Sequence, residues 1–162
     1  MTVVVFAALF LCVAGAGPAA AQPNGDQQLE GSWFATITAT DPAGLEPMKG
    51  LLTFTRDGNV IETRRLYIPA SPFGPLIETP GQGAWVRMGE RQFKVKFLFL
   101  IQSFPDGVHI GNDNIEMVLE VSRDGNSLSG TFVSQVRDPA ANTVVFFQAI
   151  GTVSASRIRA DR

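Results

Sequence analysis

Two stretches of this chain place the same short motif between runs that alternate apolar and polar residues. The motif, Arg-Asp-Gly-Asn, occupies residues 56–59 and 123–126. Asp-Gly supplies the positive φ angles that a tight hairpin turn needs, in a form whose twist matches the flanking strands. Both stretches therefore predict β-hairpins.

Pairing outward from the two turns predicts which residues face one another across each hairpin. The predicted apolar-face pairs are Phe54 with Ile61, Leu52 with Thr63, Val121 with Leu128, and Met117 with Phe132. Each pairing leaves one apolar face and one polar face, which a one-residue slip would destroy. The hairpins thus predict an antiparallel sheet with one buried side.

The alternating runs predict eight strands, near residues 31–40, 49–56, 59–68, 82–88, 92–102, 113–123, 126–137 and 143–157. No segment keeps a period of 3.6 residues for long enough to predict a helix. Eight antiparallel strands in meander order lose their exposed edges by closing into a barrel. We therefore predict an all-β fold, a single eight-stranded antiparallel up-and-down β-barrel.

A long apolar and proline-rich connection, residues 69–80, separates the third and fourth predicted strands. Connections of this length are often lids or binding loops. The alternative is a stiff plug that packs over one end of the barrel. The sequence leaves both interpretations open.

The first 21 residues have the pattern of a secretory signal peptide. An unbroken apolar run over residues 3–13 leads to Ala19-Ala20-Ala21, an Ala-x-Ala cleavage site before Gln22. We expect residues 1–21 to be removed and residues 22–162 to form the barrel domain in a secreted or periplasmic protein. The apolar run is too short to span a bilayer, so no stable membrane insertion is expected after cleavage. The single cysteine, Cys12, lies in this leader, so the mature domain can form no disulfide.

Charge and composition exclude several classes of function. The net charge is −2 and no basic stripe is present, so no nucleic-acid partner is expected. The one histidine, His109, together with Asp106 and Asp113, matches no known ligand spacing, so neither a metal site nor a cofactor is predicted. A nucleophilic triad has no recognisable motif either.

Gly31-Ser32-Trp33, at the start of the first strand, resembles the Gly-x-Trp of lipocalins and their calycin relatives. Arg157-Ile158, at the end of the last strand, resembles the basic residue that packs over that tryptophan. The chain lacks the disulfide and the clear helix of animal lipocalins, and is more similar to short bacterial lipocalin-like proteins. The resemblance implies structural roles for Gly31, Trp33 and Arg157 and a small apolar ligand inside the barrel.

The inward face, followed by parity, predicts a ligand site that mixes aromatic side chains with a few polar ones. With Arg65 and Tyr67 on the third strand and Arg87 on the fourth, guanidinium and phenol donors could hold a carboxylate or carbonyl group of the ligand. The alternative is that these polar side chains lie in solvent at the rim of the barrel. The predicted ligand-binding residues are Phe54, Arg65, Tyr67, Trp85, Arg87, Phe97, Phe99, Met117, Phe132 and Phe147.

Two other classes of function stay open. A cofactor-independent cyclase or isomerase would fold a flexible apolar substrate inside the barrel, with Tyr67, Arg65 and Arg87 as candidate catalytic residues. A structural or protein-interaction module would use the outward Leu98 and Leu100, which predict contact with a loop or with another copy of the chain.

Overall fold

The computed structural model describes residues 28–69, 71 and 73–160, so the predicted leader lies outside the described residues. These residues form ten strands: β1 (Gly31–Asp41), β2 (Met48–Phe54), β3 (Asn59–Arg64), β4 (Tyr67–Ile68), β5 (Leu76–Glu78), β6 (Gly81–Arg87), β7 (Gln92–Ser103), β8 (His109–Val121), β9 (Ser127–Arg137) and β10 (Val145–Arg157). None of the helical structure in this part of the chain is long and apolar enough to cross a membrane.

Eight of the strands close into a barrel. Their order around the ring is β7-β6-β3-β2-β1-β10-β9-β8, and β8 returns to pair with β7. Every neighbouring pair is antiparallel, and β10 meets β1 to complete the ring. The predicted eight-stranded up-and-down barrel is confirmed. The short strands β4 and β5 form an additional hairpin, and β5 pairs with β7 beyond the end of β6.

The barrel interior is a packed apolar core over much of its length. Alternate residues of each strand point inward, as the period of two requires. Seven large aromatic side chains lie in one buried cluster: Trp33, Phe54, Trp85, Phe93, Phe97, Phe99 and Phe132. Side chains therefore fill the barrel around these rings, and any space for a ligand must lie near an end.

The register of the second hairpin is confirmed. Val121 faces Leu128 and Met117 faces Phe132. In the hairpin of β6 and β7, Trp85 faces Val95 and Gly83 faces Phe97. A shift of one residue in either hairpin would move the buried side chains to the outer face.

The predicted register of the first hairpin is wrong by one residue. Phe54 faces Val60 and Leu52 faces Glu62, instead of Ile61 and Thr63. The first turn holds three residues between Thr55 and Asn59, whose backbone N–H and C=O groups pair. Consequently Ile61 lies on the outer surface, and Glu62 and Arg64 point into the barrel.

One end of the barrel, here called the closed end, is sealed by Trp33 and Arg157. The Arg157 guanidinium lies over the indole, 4.2 Å from the ring centroid, and donates to the backbone carbonyls of Gln28, Glu30 and Gly125. Gly31 has a φ of 111°, and a Cβ there would lie 3.0 Å from the Arg157 guanidinium. A side chain at residue 31 would therefore crowd the arginine that closes this end.

The proline-rich connection covers part of the opposite end, here called the open end. Its hairpin β4–β5 adds Leu76 and Ile68 to a second apolar cluster with Ile101 and Val136. The connection therefore packs onto the barrel, and its Phe73 lines the cavity at this end. It leaves Leu100 partly uncovered on the outer surface, 40% exposed.

Candidate functional site

Four charged side chains meet inside the barrel, towards the open end. Arg64 on β3 donates to Glu78 on β5 over 2.8 Å and to Asp113 on β8 over 3.1 Å. Ser134 on β9 donates its hydroxyl to Asp113 over 2.7 Å. Glu62, also on β3, is fully buried on the same face as Arg64. We call Glu62, Arg64, Glu78 and Asp113 the interior charge cluster.

Arg64 holds this cluster together. Its guanidinium carbon lies 4.1 Å from the centre of the Phe99 ring, and its side chain is 6% exposed. Burial alone would lower the pKa of Arg64, but the carboxylates of Glu78, Asp113 and Glu62 outweigh burial and raise the pKa. Arg64 therefore stays charged.

Glu62 differs from the other two acids because neither of its carboxyl oxygens has a hydrogen-bond partner among the described residues. Burial raises the pKa of Glu62 to about 7; Arg64 opposes this rise, and Glu78 and Asp113 add to it. Burial also raises the pKa of Glu78, although its bond to Arg64 works against the rise. At neutral pH Glu62 is thus close to half protonated, a state in which it can donate or accept a proton.

Glycines on the neighbouring strands make room for the cluster. A Cβ at Gly50 on β2 would lie 2.8 Å from a Glu62 oxygen. A Cβ at Gly81 on β6 would lie 2.8 Å from the Phe99 ring, against which the Arg64 guanidinium packs. The strands on both sides of β3 therefore leave the space that its two charged side chains occupy.

An apolar cavity of about 260 Å³ opens at this end of the barrel, lined by Phe73, Ile101, Ile110, Gly111, Val136 and Phe146. Ile101 is the cross-strand partner of Glu78, and Val136 is the partner of Asp113. Since cross-strand partners point to the same face, the floor of the cavity adjoins the interior charge cluster. Apolar walls with a few converging polar groups are the usual composition of a small-molecule site.

The three polar residues predicted for the site do not come together, and their exposure matches the alternative of a solvated rim. Arg65 is exposed, and Tyr67 is 43% exposed with its ring against Phe104. Arg87 is exposed at the closed end, where it donates to the carbonyls of Gly89 and Glu90. The one-residue register error moved Arg65 inward in the prediction and left Arg64 outside. With these positions, the candidate catalytic residues of a cyclase or isomerase share no site.

The remaining predicted ligand-binding residues form core instead of cavity wall. Six of them are buried in the main cluster: Phe54, Trp85, Phe97, Phe99, Met117 and Phe132. Phe147 is partly buried and packs against both clusters. Of the six, Phe99 touches the interior charge cluster, through Arg64.

Sequence reasoning missed Glu62, Arg64 and Glu78 as site residues. A weak signal exists in β3, where Val60 and Ile61 are both apolar and two registers compete. The predicted register placed Glu62 on the outer face of the barrel, because charged side chains are usually exposed. The observed register buries it because Glu78 and Asp113, 14 and 49 residues away from Arg64, supply the partners.

His109 lies exposed at the start of β8, where its ring contacts the Gly111 carbonyl and the Asn112 side chain. Within the described residues, no three His, Cys, Asp or Glu side chains are grouped so that they could hold a metal ion. The three acids of the interior charge cluster are therefore arranged around Arg64 and not around a common cation position.

Comparisons with known proteins support the architecture. No protein-family model matches the chain, and no curated protein matches it. Among solved structures, the chain is similar to the structure of EF1p2_mFAP2b bound to DFHBI, with a TM-score of 0.51 and 14% identity over 82% of this chain and 95% of that chain. At this identity the likeness shows the barrel fold alone.

Proposed function

We propose that this protein is a lipocalin-like barrel that binds a small apolar molecule at its open end. The observation that carries the proposal is the apolar cavity whose floor residues, Ile101 and Val136, pair directly with Glu78 and Asp113. The cavity would take the apolar body of a ligand, and the interior charge cluster would fix its orientation. The similar barrel of EF1p2_mFAP2b, solved bound to DFHBI, is consistent with this use of the fold.

Arg64 is poorly placed to anchor a carboxylate ligand, because Glu78 and Asp113 already accept its hydrogen bonds. A ligand carboxylate would also meet three carboxyl groups at short range. The apolar part of the proposed ligand follows from the cavity, whereas the carboxylate that sequence reasoning expected at Arg65 and Arg87 has no support from the geometry.

A pair of valines on β9 tests where binding takes place. Val136 lines the cavity, and Val133, three residues earlier, points outward and is 38% exposed. Val136→Phe should fill the cavity and weaken binding of the neutral fluorescent probe N-phenyl-1-naphthylamine by about tenfold or more. Val133→Phe should leave the affinity unchanged. Equal affinities in the wild type and both variants would contradict a site at the open end.

We also propose that the protein is exported, on the strength of the apolar run and the Ala-x-Ala site in residues 1–21. Mass spectrometry of the protein from the producing cells should find a chain that begins at or near Gln22. A soluble cytoplasmic chain that retains residues 1–21 would contradict the proposal.

A further inference from the structure

The interior charge cluster carries more acid than base. Glu62, Glu78 and Asp113 face a single guanidinium, that of Arg64, inside the barrel. Glu78 and Asp113 are each bonded to Arg64, whereas Glu62 is fully buried and has no partner on either oxygen within residues 28–69, 71 and 73–160. A buried carboxyl group without a partner costs free energy, so the described part of the barrel contains a group whose hydrogen bonds it does not itself satisfy.

The inward positions of the two strands beside Glu62 carry no cation at this level. The inward residues of β2 at this level are Gly50 and Leu52, and those of β6 are Gly81 and Gly83. The charged groups that face Glu62 are thus Arg64 on its own strand, Glu78 from β5 and Asp113 from β8. Two of these three are acids, so the position favours a hydrogen-bond donor or a positive charge from beyond the described residues.

Glu62 lies deeper in the barrel than the residues beside the cavity. It is one inward position deeper along β3 than Arg64, whose partners Glu78 and Asp113 are the cross-strand neighbours of Ile101 and Val136 in the cavity wall. A ligand with its apolar body in the cavity and its polar end directed into the barrel would meet the acidic cluster first. An ammonium group beside Glu62 would form an ion pair with that carboxylate and be repelled by the Arg64 guanidinium, whose charge Glu78 and Asp113 offset.

We propose that the ligand is an amphiphilic amine, with an apolar body in the cavity at the open end and an ammonium group that donates hydrogen bonds to Glu62. This inference rests on the proposed function, and it specifies the class of ligand for the same site. It also explains the glycine at residue 50, because a Cβ there would lie 2.8 Å from the Glu62 oxygen that the ammonium would approach.

Binding of an ammonium group should be linked to a proton. Glu62 holds its proton below about pH 7 because burial raises its pKa. The ammonium favours the carboxylate, so its binding to the protonated form releases one proton to solvent and leaves an ion pair. The affinity for an amine should therefore rise by up to about tenfold per pH unit below pH 7 and level off above it.

Three ligands with the same alkyl chain separate the polar end from the apolar body. Isothermal titration calorimetry with 1-octylamine, 1-octanol and octanoate, at about pH 6 and about pH 8, would be run on the full mature chain and on Glu62→Gln. Glu116→Gln serves as the matched control, since Glu116 lies on the outer face of β8, bonded to Lys96.

We expect 1-octylamine to bind at least about tenfold more tightly than 1-octanol at pH 8, and octanoate to bind most weakly. Glu62→Gln should remove the preference for the amine and its pH dependence while leaving 1-octanol binding intact, and Glu116→Gln should change neither. Tighter or equal binding of 1-octanol or octanoate would overturn the amine assignment and leave the proposed apolar site standing. Absence of binding by all three ligands would overturn both.

Discussion

Glu62 is a residue at which burial and charge are in direct conflict. Its side chain is fully buried, and its pKa rises to about 7 from an ordinary value of 4.5. The folded state therefore retains a proton between these two pH values, whereas the unfolded state loses it. The contribution of Glu62 to the free energy of unfolding is fully present below about pH 4.5. It is lost as the pH rises to about 7, and it does not change further above that pH.

This conflict predicts the pH profile of stability. Between about pH 5 and about pH 7.5, the wild type should lose about 2 kcal/mol of unfolding free energy through Glu62 alone. Glu62→Gln, which cannot ionise, should remove that part of the loss in urea denaturation measured across this range. A smaller slope should persist, because burial also raises the pKa of Glu78.

Glu116→Gln is the control for this measurement. Its bond to Lys96 lowers the pKa of Glu116, and the group is exposed, so the substitution should not reduce the loss of stability at rising pH. Identical pH profiles for the wild type and Glu62→Gln would mean that Glu62 is not the buried acid described here.

Arg64 and Arg65 form a matched pair of adjacent arginines with opposite orientations. Arg64→Met should cost roughly 3 to 5 kcal/mol of unfolding free energy, because it leaves Glu78 and Asp113 buried without their cation. Arg65→Met should change stability by less than about 0.5 kcal/mol, since Arg65 is exposed. Chemical denaturation of both variants decides the register of β3. A large loss in Arg65→Met with none in Arg64→Met would restore the register that the sequence alone predicted.

At the scale of the strand, nearly identical turns give different loops. Residues 55–59 read Thr-Arg-Asp-Gly-Asn and residues 122–126 read Ser-Arg-Asp-Gly-Asn. In the first, Thr55 pairs with Asn59 across three residues; in the second, Ser122 pairs with Ser127 across four. The turn sequence therefore predicts that a hairpin forms, but the register depends on which side chains the rest of the barrel can accommodate.

The second hairpin was predictable because its strands alternate cleanly, whereas β3 was not. Either Val60 or Ile61 could place an apolar side chain inside the barrel. The local pattern favours Ile61, because that register keeps Glu62 outside. The observed register is stabilised by Glu78 and Asp113 from distant strands and by space at Gly50. Contacts of this kind do not appear in a local pattern.

The turn glycines provide a prediction at this scale. Gly58 and Gly125 have φ angles of 86° and 70°, which a β-branched residue resists. Gly58→Val and Gly125→Val should each lower the unfolding free energy by about 1 kcal/mol or more. Gly89→Ala, in the β6–β7 turn, is the control. Gly89 does not have a positive φ, and the atoms nearest to an added Cβ lie 3.7 Å away. This substitution should therefore change the thermal unfolding temperature little. An equal loss at all three positions would contradict the turn geometry.

For the whole molecule, the sequence was sufficient to predict the architecture. The eight barrel strands, their meander order and barrel closure follow from alternating runs and turn signals. Trp33 and Arg157 pack against each other at the closed end. The site was less predictable. It lies where β3, β5 and β8 converge, and β5 belongs to a connection that the sequence presented only as a loop.

The barrel therefore has two ends with different roles. Packed aromatic rings and the Arg157 contacts close one end, and the cavity beside the interior charge cluster opens the other. A small apolar molecule that binds at the open end would use this difference between the two ends.

Methyl chemical shifts measured during a titration with 1-octanol test binding at the open end most directly. If the ligand binds there, the methyl groups of Ile101, Ile110 and Val136, which line the cavity, should show saturable shifts. The methyl groups of Ile61, Val86 and Val118, exposed on the outer surface, should stay unchanged. Shifts confined to the outer set, or no saturable shift in either set, would contradict a ligand site at the open end.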